Sequence, residues 1–96
     1  MKSLKSKQLP PIHPGEVLLE DFLKPMGVTR YRFAKQSGIS FRALGDIVRK
    51  KSGVGITTGF RLAKATKTSP LLWFNLQHQY NEEMKRLYPL TKPPKP

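Results

Sequence analysis

Apolar residues recur at three- and four-residue steps along residues 12–88, which is the spacing of amphipathic helices. In the last such run Trp73, Leu76, Tyr80, Met84 and Leu87 share one helix face. No segment alternates apolar and polar residues as a half-buried strand does. The pattern therefore predicts an all-α fold.

Start and stop signals divide this pattern into five helices. Residues that cap helix N-termini mark most of the starts, and glycine or proline marks most of the ends. The predicted helices span residues 14–26, 30–37, 41–49, 56–66 and 70–88. The predicted buried residues of the third and fourth helices are Leu44, Ile47, Val48, Phe60, Leu62 and Ala63.

The two ends of the chain differ from this helical middle. Residues 1–11 carry three lysines and predict a flexible basic arm, and residues 89–96 hold four prolines and predict an extended tail. One domain over residues 12–88 is expected between them. The arm and the tail either contact DNA phosphates or a partner protein, or have no such role.

Charge indicates the class of partner. The 96 residues hold 18 Lys and Arg against six Asp and Glu, a formal net charge of +12. Such an excess favours a polyanion, nucleic acid first and an acidic membrane surface or protein second. Cysteine is absent, and no apolar run approaches the about 20 residues of a membrane span. We expect no signal peptide, no membrane association and a cytoplasmic location.

The segment from Thr29 to Lys51 has the spacing of a helix-turn-helix. Gly38 can adopt the left-handed conformation that turns the chain. Ile39 is apolar inside the turn and can fill the space between the two helices. The alternative is an ordinary helical hairpin, but here two N-caps, Thr29 and Ser40, coincide with a cluster of positive charge.

In a helix-turn-helix the second helix enters the DNA major groove with its N-terminal end. This geometry places Arg42, Ala43 and Asp46 at base edges, with Phe41 at the entry. Arg42 could bind guanine, and Phe41 and Ala43 could pack on thymine methyl groups. Asp46 either accepts from a cytosine amine or orients Arg42 or Arg49. For Phe41 the alternative is partial burial against the preceding helix.

Phosphate contacts fix the register of a protein on DNA without reading sequence. The candidates are polar or basic residues at the starts of the two helices of the motif and after its second helix, the recognition helix. For each single lysine the alternative is an ordinary solvated charge. The candidate set is Thr29, Arg30, Arg32, Ser40, Arg49, Lys50 and Lys51.

Several stretches together resemble the HigA-type antitoxins of the Xre/Cro, phage-repressor-like helix-turn-helix group. The opening Ile-His-Pro-Gly-Glu-Val-Leu of residues 12–18 is one of them, and Arg-Leu-Ala at residues 61–63 is another. Phe33-Ala34 and the Gly-Ile-Ser of residues 38–40 match within the motif. The most specific is Thr-Ser-Pro-Leu-Leu-Trp-Phe-Asn-Leu-Gln at residues 68–77, followed by Tyr80.

The resemblance implies a compact five-helix, lambda-repressor-like domain that dimerises on a palindromic operator in its own promoter. It also implies neutralisation of a small RelE-like, HigB-type toxin that cleaves mRNA. The fifth helix of such proteins supports dimerisation, so its apolar residues are interface candidates, with the core as the alternative for the first two. These residues are Trp73, Leu76, Tyr80, Met84 and Leu87.

The sequence also departs from the usual pattern of this family. Phe41 stands where a polar residue is frequent, and Arg49-Lys50-Lys51 replaces Asn-Gly-Lys. Lys67 replaces a glycine, and Gly55 replaces a Thr or Ser N-cap. A stand-alone repressor without a toxin is the first alternative function. The second is an interaction protein whose basic face binds an acidic partner.

Catalytic and metal-binding patterns are missing from the sequence. His13 and His78 lie far apart and have no neighbouring ligands, and His13 is placed to help start the first helix. The six carboxylates form no acid/base pair on one site, and the glycines form no phosphate loop. We expect no enzymatic activity, no metal and no cofactor.

Overall fold

The computed structural model describes residues 11–88, and within this range the chain forms five helices and no strand. The all-α fold is therefore confirmed. The predicted tail and the first ten residues of the predicted arm lie outside the described residues. The first helix, α1, is continuous over residues 14–26 and has three stretches, Pro14–Val17, Leu18–Leu23 and Lys24–Met26. The others are α2 (Arg30–Ser37), α3 (Phe41–Val48), α4 (Ile56–Thr66) and α5 (Pro70–Leu87).

The middle stretch of α1, Leu18–Leu23, is π-helical. At its end the backbone N–H of Lys24 donates to the carbonyl of Leu19, five residues back. Pro25 follows, and in an α-helix its ring would clash with the carbonyl of Asp21 and leave that carbonyl without a donor. The wider turn gives the ring room, so we attribute the π-helical stretch to Pro25.

The predicted N-caps are confirmed. The side chains of Thr29, Ser40 and Ser69 each accept a hydrogen bond of 3.1 Å from a backbone N–H two or three residues further on. His13 starts α1 in the same way, because its Nδ1 accepts from the backbone N–H of Gly15 at 2.9 Å. These four contacts satisfy donors that a helix start leaves unpaired.

The core lies where α1 packs on α3 and α5, and where α4 packs on α2 and α5. Leu44 and Ile47 are buried as predicted, and so are Leu62 and Ala63, whereas Val48 is half-buried. Within residues 11–88 the buried hydrophobic residues are Leu18, Leu23, Phe33, Ala34, Ile39, Leu44, Ile47, Val54, Leu62, Ala63 and Trp73.

Trp73 lies at the centre of this core and has no accessible surface. Its Nε1–H donates to the hydroxyl of Thr68 at 3.0 Å, and the ring of Phe22 lies 5.6 Å away between centroids. A second copy of the chain could not contact this side chain. Of the two roles considered for Trp73, the structure therefore places it in the core and not on a dimer interface.

The prediction that Phe60 is buried is wrong, because its side chain is 56% exposed. The inward position of this part of α4 belongs to Gly59, where an added Cβ would lie only 2.3 Å from the ring of Phe74. The next residue along the helix points about 100° away from it. Phe60 consequently packs edge-on against Phe74 at the surface, with 5.6 Å between the ring centroids.

Lys67 ends α4 in the left-handed conformation, with φ 59° and ψ 43°. A side chain costs about 1 kcal/mol in that conformation, and glycine avoids the cost. We expect Lys67→Gly to raise the free energy of unfolding by about 1 kcal/mol, measured by thermal denaturation. Lys64→Gly removes the same charge from the last turn of α4 and should lower the free energy of unfolding by up to about 1 kcal/mol. If the two variants changed the free energy of unfolding in the same direction and by the same amount, this account would be contradicted.

His13 is buried at the start of α1, and its ring meets that of Tyr80 edge-on at 4.8 Å. Burial, and secondarily the charge of Lys50, lowers the pKa of His13, although the carbonyl of Ser52 and the carboxylate of Glu16 oppose the shift. Neutral imidazole keeps Nδ1 free to accept from the helix backbone. The folded chain therefore favours the neutral form.

This preference predicts a pH dependence of stability. Because the pKa is lower in the folded chain, the contribution of His13 is complete above the ordinary histidine pKa of about 6.5 and is lost as the pH falls below it. We expect the free energy of unfolding to decrease between pH 7 and pH 5. His13→Asn keeps a capping oxygen and should show a shallower decrease. Identical pH profiles would contradict the assignment.

Candidate nucleic-acid interface

The turn between α2 and α3 has the geometry predicted for a helix-turn-helix. Gly38 ends α2 with φ 80°, in the left-handed region. Ile39 is 6% exposed, so it fills the space between the two helices. From α4, a guanidinium nitrogen of Arg61 donates to the carbonyl oxygen of Gly38. Arg61, which sequence reasoning did not assign to the motif, thus ties the turn to α4.

The third helix, α3, turns one face into the core and the other towards solvent. Leu44 is fully buried, whereas Phe41 and Arg42 are exposed at the N-terminal end of the helix. Asp46 and Ala43 are half-buried, and Ala43 packs against the core. Of the four predicted base-reading residues, Phe41 and Arg42 are therefore the accessible ones, and Arg42 carries the charge.

Phe41 packs against the preceding helix, the alternative that the sequence left open. Its ring lies 6.3 Å from that of Tyr31 in an edge-on arrangement, and the Arg30 guanidinium carbon lies 5.1 Å from its centroid. It nevertheless stays 48% exposed. Tyr31 itself is 61% exposed beneath the Lys35 ammonium group, and sequence reasoning missed it. An aromatic residue four positions before a lysine in a basic segment was the available signal.

Asp46 holds Arg49, with 3.2 Å between a carboxylate oxygen and a guanidinium nitrogen. This contact matches the orienting role considered for Asp46. It also engages the only carboxylate within residues 29–51, a segment with seven arginines and lysines. The outer face of the motif is therefore strongly basic.

The predicted phosphate-binding residues lie in two kinds of setting. The hydroxyl oxygens of Thr29 and Ser40 serve as helix caps. The basic members are at least partly exposed, and Lys50 adopts the left-handed conformation with φ 64°. Its Nζ lies 3.5 Å from a carboxylate oxygen of Glu16, so it ties the loop after α3 to α1. Lys51, next to it, is exposed.

The remaining interface candidates lie along α5. Leu76, Tyr80, Met84 and Leu87 are all half-buried within the described chain. Leu76 packs against the core, and Tyr80 packs on His13. These four residues keep some accessible apolar surface, in contrast to Trp73.

Two further properties bear on the class of protein. Residues 11–88 contain no group of three or more His, Cys, Asp or Glu side chains placed to hold a metal ion. Among the helices described, none is both long and apolar enough to cross a membrane.

No family model matches this chain. The virulence-associated protein I of Dichelobacter nodosus is 36% identical over 77 residues, which cover 80% of this chain and 71% of the relative. The antitoxin HigA-1 of Vibrio cholerae is 30% identical over 92 residues, which cover 83% of this chain and 84% of the relative. The solved Pseudomonas aeruginosa antitoxin HigA with the higBA promoter matches with a TM-score of 0.72 and 30% identity, over 86% of this chain and 97% of that one.

Proposed function

This chain belongs to the HigA family of helix-turn-helix antitoxins, and from that premise we propose that it binds an operator in its own promoter and represses that operon. The observation that carries the proposal is the basic, solvent-facing side of α2 and α3. Arg42 is exposed at the N-terminal end of α3, which is the end that enters the major groove in such motifs.

The residues divide into two roles under this proposal. Arg42 reads a base, since a guanidinium can bond guanine O6 and N7 together. Lys51 and Arg32 contact phosphates and contribute affinity to any sequence. Asp46 orients Arg49, and Ala43 offers a methyl group at the edge of the surface.

Two single variants test these roles. We expect Arg42→Ala to cost about 1–3 kcal/mol of binding free energy on the operator and little on unrelated DNA. Lys51→Ala should weaken binding to the operator and to unrelated DNA by the same factor, and it should reduce the slope of log Kd against log salt concentration by about one. Fluorescence anisotropy with the promoter fragment and a scrambled fragment measures both effects. Equal losses for the two variants on the two fragments would refute the division of roles.

A second part of the proposal is neutralisation of a RelE-like, HigB-type toxin, supported by the antitoxin names of the relatives. The test is co-expression with the product of a small toxin-like gene beside this one. Restored growth and a stable complex would support the antitoxin role. Continued growth arrest with intact promoter binding would favour a stand-alone repressor instead.

A palindromic operator requires a dimer, and we propose the α5 face of Tyr80, Met84 and Leu87 as its interface. Burying their remaining apolar surface favours association. Met84→Glu should therefore make the protein monomeric in analytical ultracentrifugation. Leu71→Glu is the matched control, because Leu71 lies on another face of α5 and is 60% exposed. A monomer from Leu71→Glu alone would move the interface to that face.

A further inference from the structure

Two guanidinium groups lie against the backbone of α3 at Gly45. A Cβ built on Gly45 would lie 2.9 Å from Nη1 of Arg30 and 3.1 and 3.2 Å from the Nη atoms of Arg49. Both side chains thus occupy the space that any other residue would fill with its own side chain. Arg30 begins α2 and Arg49 follows α3, so the fold brings together two charges 19 positions apart.

Each guanidinium is held by a different neighbour. Arg30 lies over the ring of Phe41, 5.1 Å from its centroid, in a cation–π contact. Arg49 is paired with Asp46 at 3.2 Å. Two positive charges this close together repel each other. The contacts with Phe41 and Asp46 oppose this repulsion and hold the two guanidinium groups at Gly45 in the absence of a ligand.

The chemistry that suits such a pair is a single anion with several oxygens. A guanidinium presents planar donors that match the oxygens of a phosphate group, and an anion between two cations removes their repulsion. We propose that Arg30 and Arg49 form one binding site for a single phosphodiester group of the DNA backbone. Gly45 and Phe41 are its positioning residues. This inference rests on the proposed DNA-binding function.

A double-mutant cycle on the promoter fragment tests whether the two arginines act as one site. Arg30→Gln and Arg49→Gln should each weaken DNA binding about ten- to hundredfold. The double variant should bind DNA with nearly the same affinity as the weaker-binding of the two single variants. Lys64→Gln removes one exposed charge from α4 and should change Kd less than about twofold. If the fold-losses of DNA affinity of the two single variants multiplied in the double variant, the proposal of a shared site would be overturned.

Gly45→Ala tests the positioning role. Alanine favours the helix more than glycine does, and the ends of the two arginine side chains can move away from a new methyl group. The variant should therefore remain folded, with an unfolding temperature as high as that of the original chain. Its DNA affinity should nevertheless fall about as far as that of Arg30→Gln. Original affinity in a folded Gly45→Ala protein would overturn the role of Gly45.

Phe41 gives a second test that does not depend on Gly45. Phe41→Leu removes the aromatic face and should weaken binding, whereas Phe41→Tyr keeps the face and should restore affinity to within about threefold. Equal affinities for these two variants would overturn the stacking role of Phe41.

The same titrations separate this inference from the proposed function. Failure of the unchanged protein to bind the promoter fragment would reject both. Tight binding by the unchanged protein, combined with independent effects of Arg30 and Arg49, would reject only the shared phosphate site.

Discussion

Trp73→Ala should lower the free energy of unfolding by about 3–5 kcal/mol, which is much of the stability of a domain of this size. The side chain has no accessible surface and fills the centre of the core. Its removal leaves a cavity and takes away the donor that pairs with Thr68 at 3.0 Å. Circular dichroism during urea unfolding measures the loss, since Trp73 is the only tryptophan and the variant has no indole fluorescence.

Leu71→Ala is the control for this prediction. Leu71 lies two residues earlier in α5 and is 60% exposed. Surface substitutions of this kind usually change stability by less than about 0.5 kcal/mol. Similar losses for Trp73→Ala and Leu71→Ala would show that Trp73 is not the centre of the core.

Gly15→Ala should lower the free energy of unfolding by about 3 kcal/mol, because α1 and α3 meet there with no room for a methyl group. A Cβ on Gly15 would lie 1.8 Å from the carbonyl oxygen of Ile47. That atom is backbone at the end of α3, so one of the two helices must move. The same displacement would disturb His13, whose Nδ1 would lie 3.2 Å from the new atom.

Gly55→Ala provides the comparison at an open position. Gly55 caps α4 without a side-chain hydrogen bond, and a Cβ there would meet no atom within 4 Å. The free energy of unfolding of the Gly55→Ala variant should differ from that of the original chain by less than about 1 kcal/mol. The urea midpoints of the two variants report the difference, and a Gly15→Ala midpoint equal to that of Gly55→Ala would contradict the close approach.

The sequence predicts the helices well because their boundaries depend on local chemistry. Thr29, Ser40 and Ser69 cap neighbouring N–H groups, and Gly38 adopts the left-handed conformation within its own turn. Such interactions span only a few residues, so they can be inferred without knowledge of tertiary contacts.

The errors and omissions come from contacts between distant parts of the chain. The apolar pattern predicts that Phe60 is buried, whereas the inward position belongs to Gly59 beneath Phe74. The pairing of Arg30 with Arg49 at Gly45 likewise depends on how α2 lies across α3. No periodicity in the sequence reports such an approach, since it follows from packing alone.

Hydroxyl-radical footprinting of the promoter upstream of this gene tests the central claim most directly. The account predicts protection in two stretches about one helical turn apart, each read by one recognition helix of a dimer. It also predicts that Arg42→Ala weakens this protection. Absence of any protected stretch at physiological salt, with the protein folded and in excess, would contradict the claim that this chain binds its own operator.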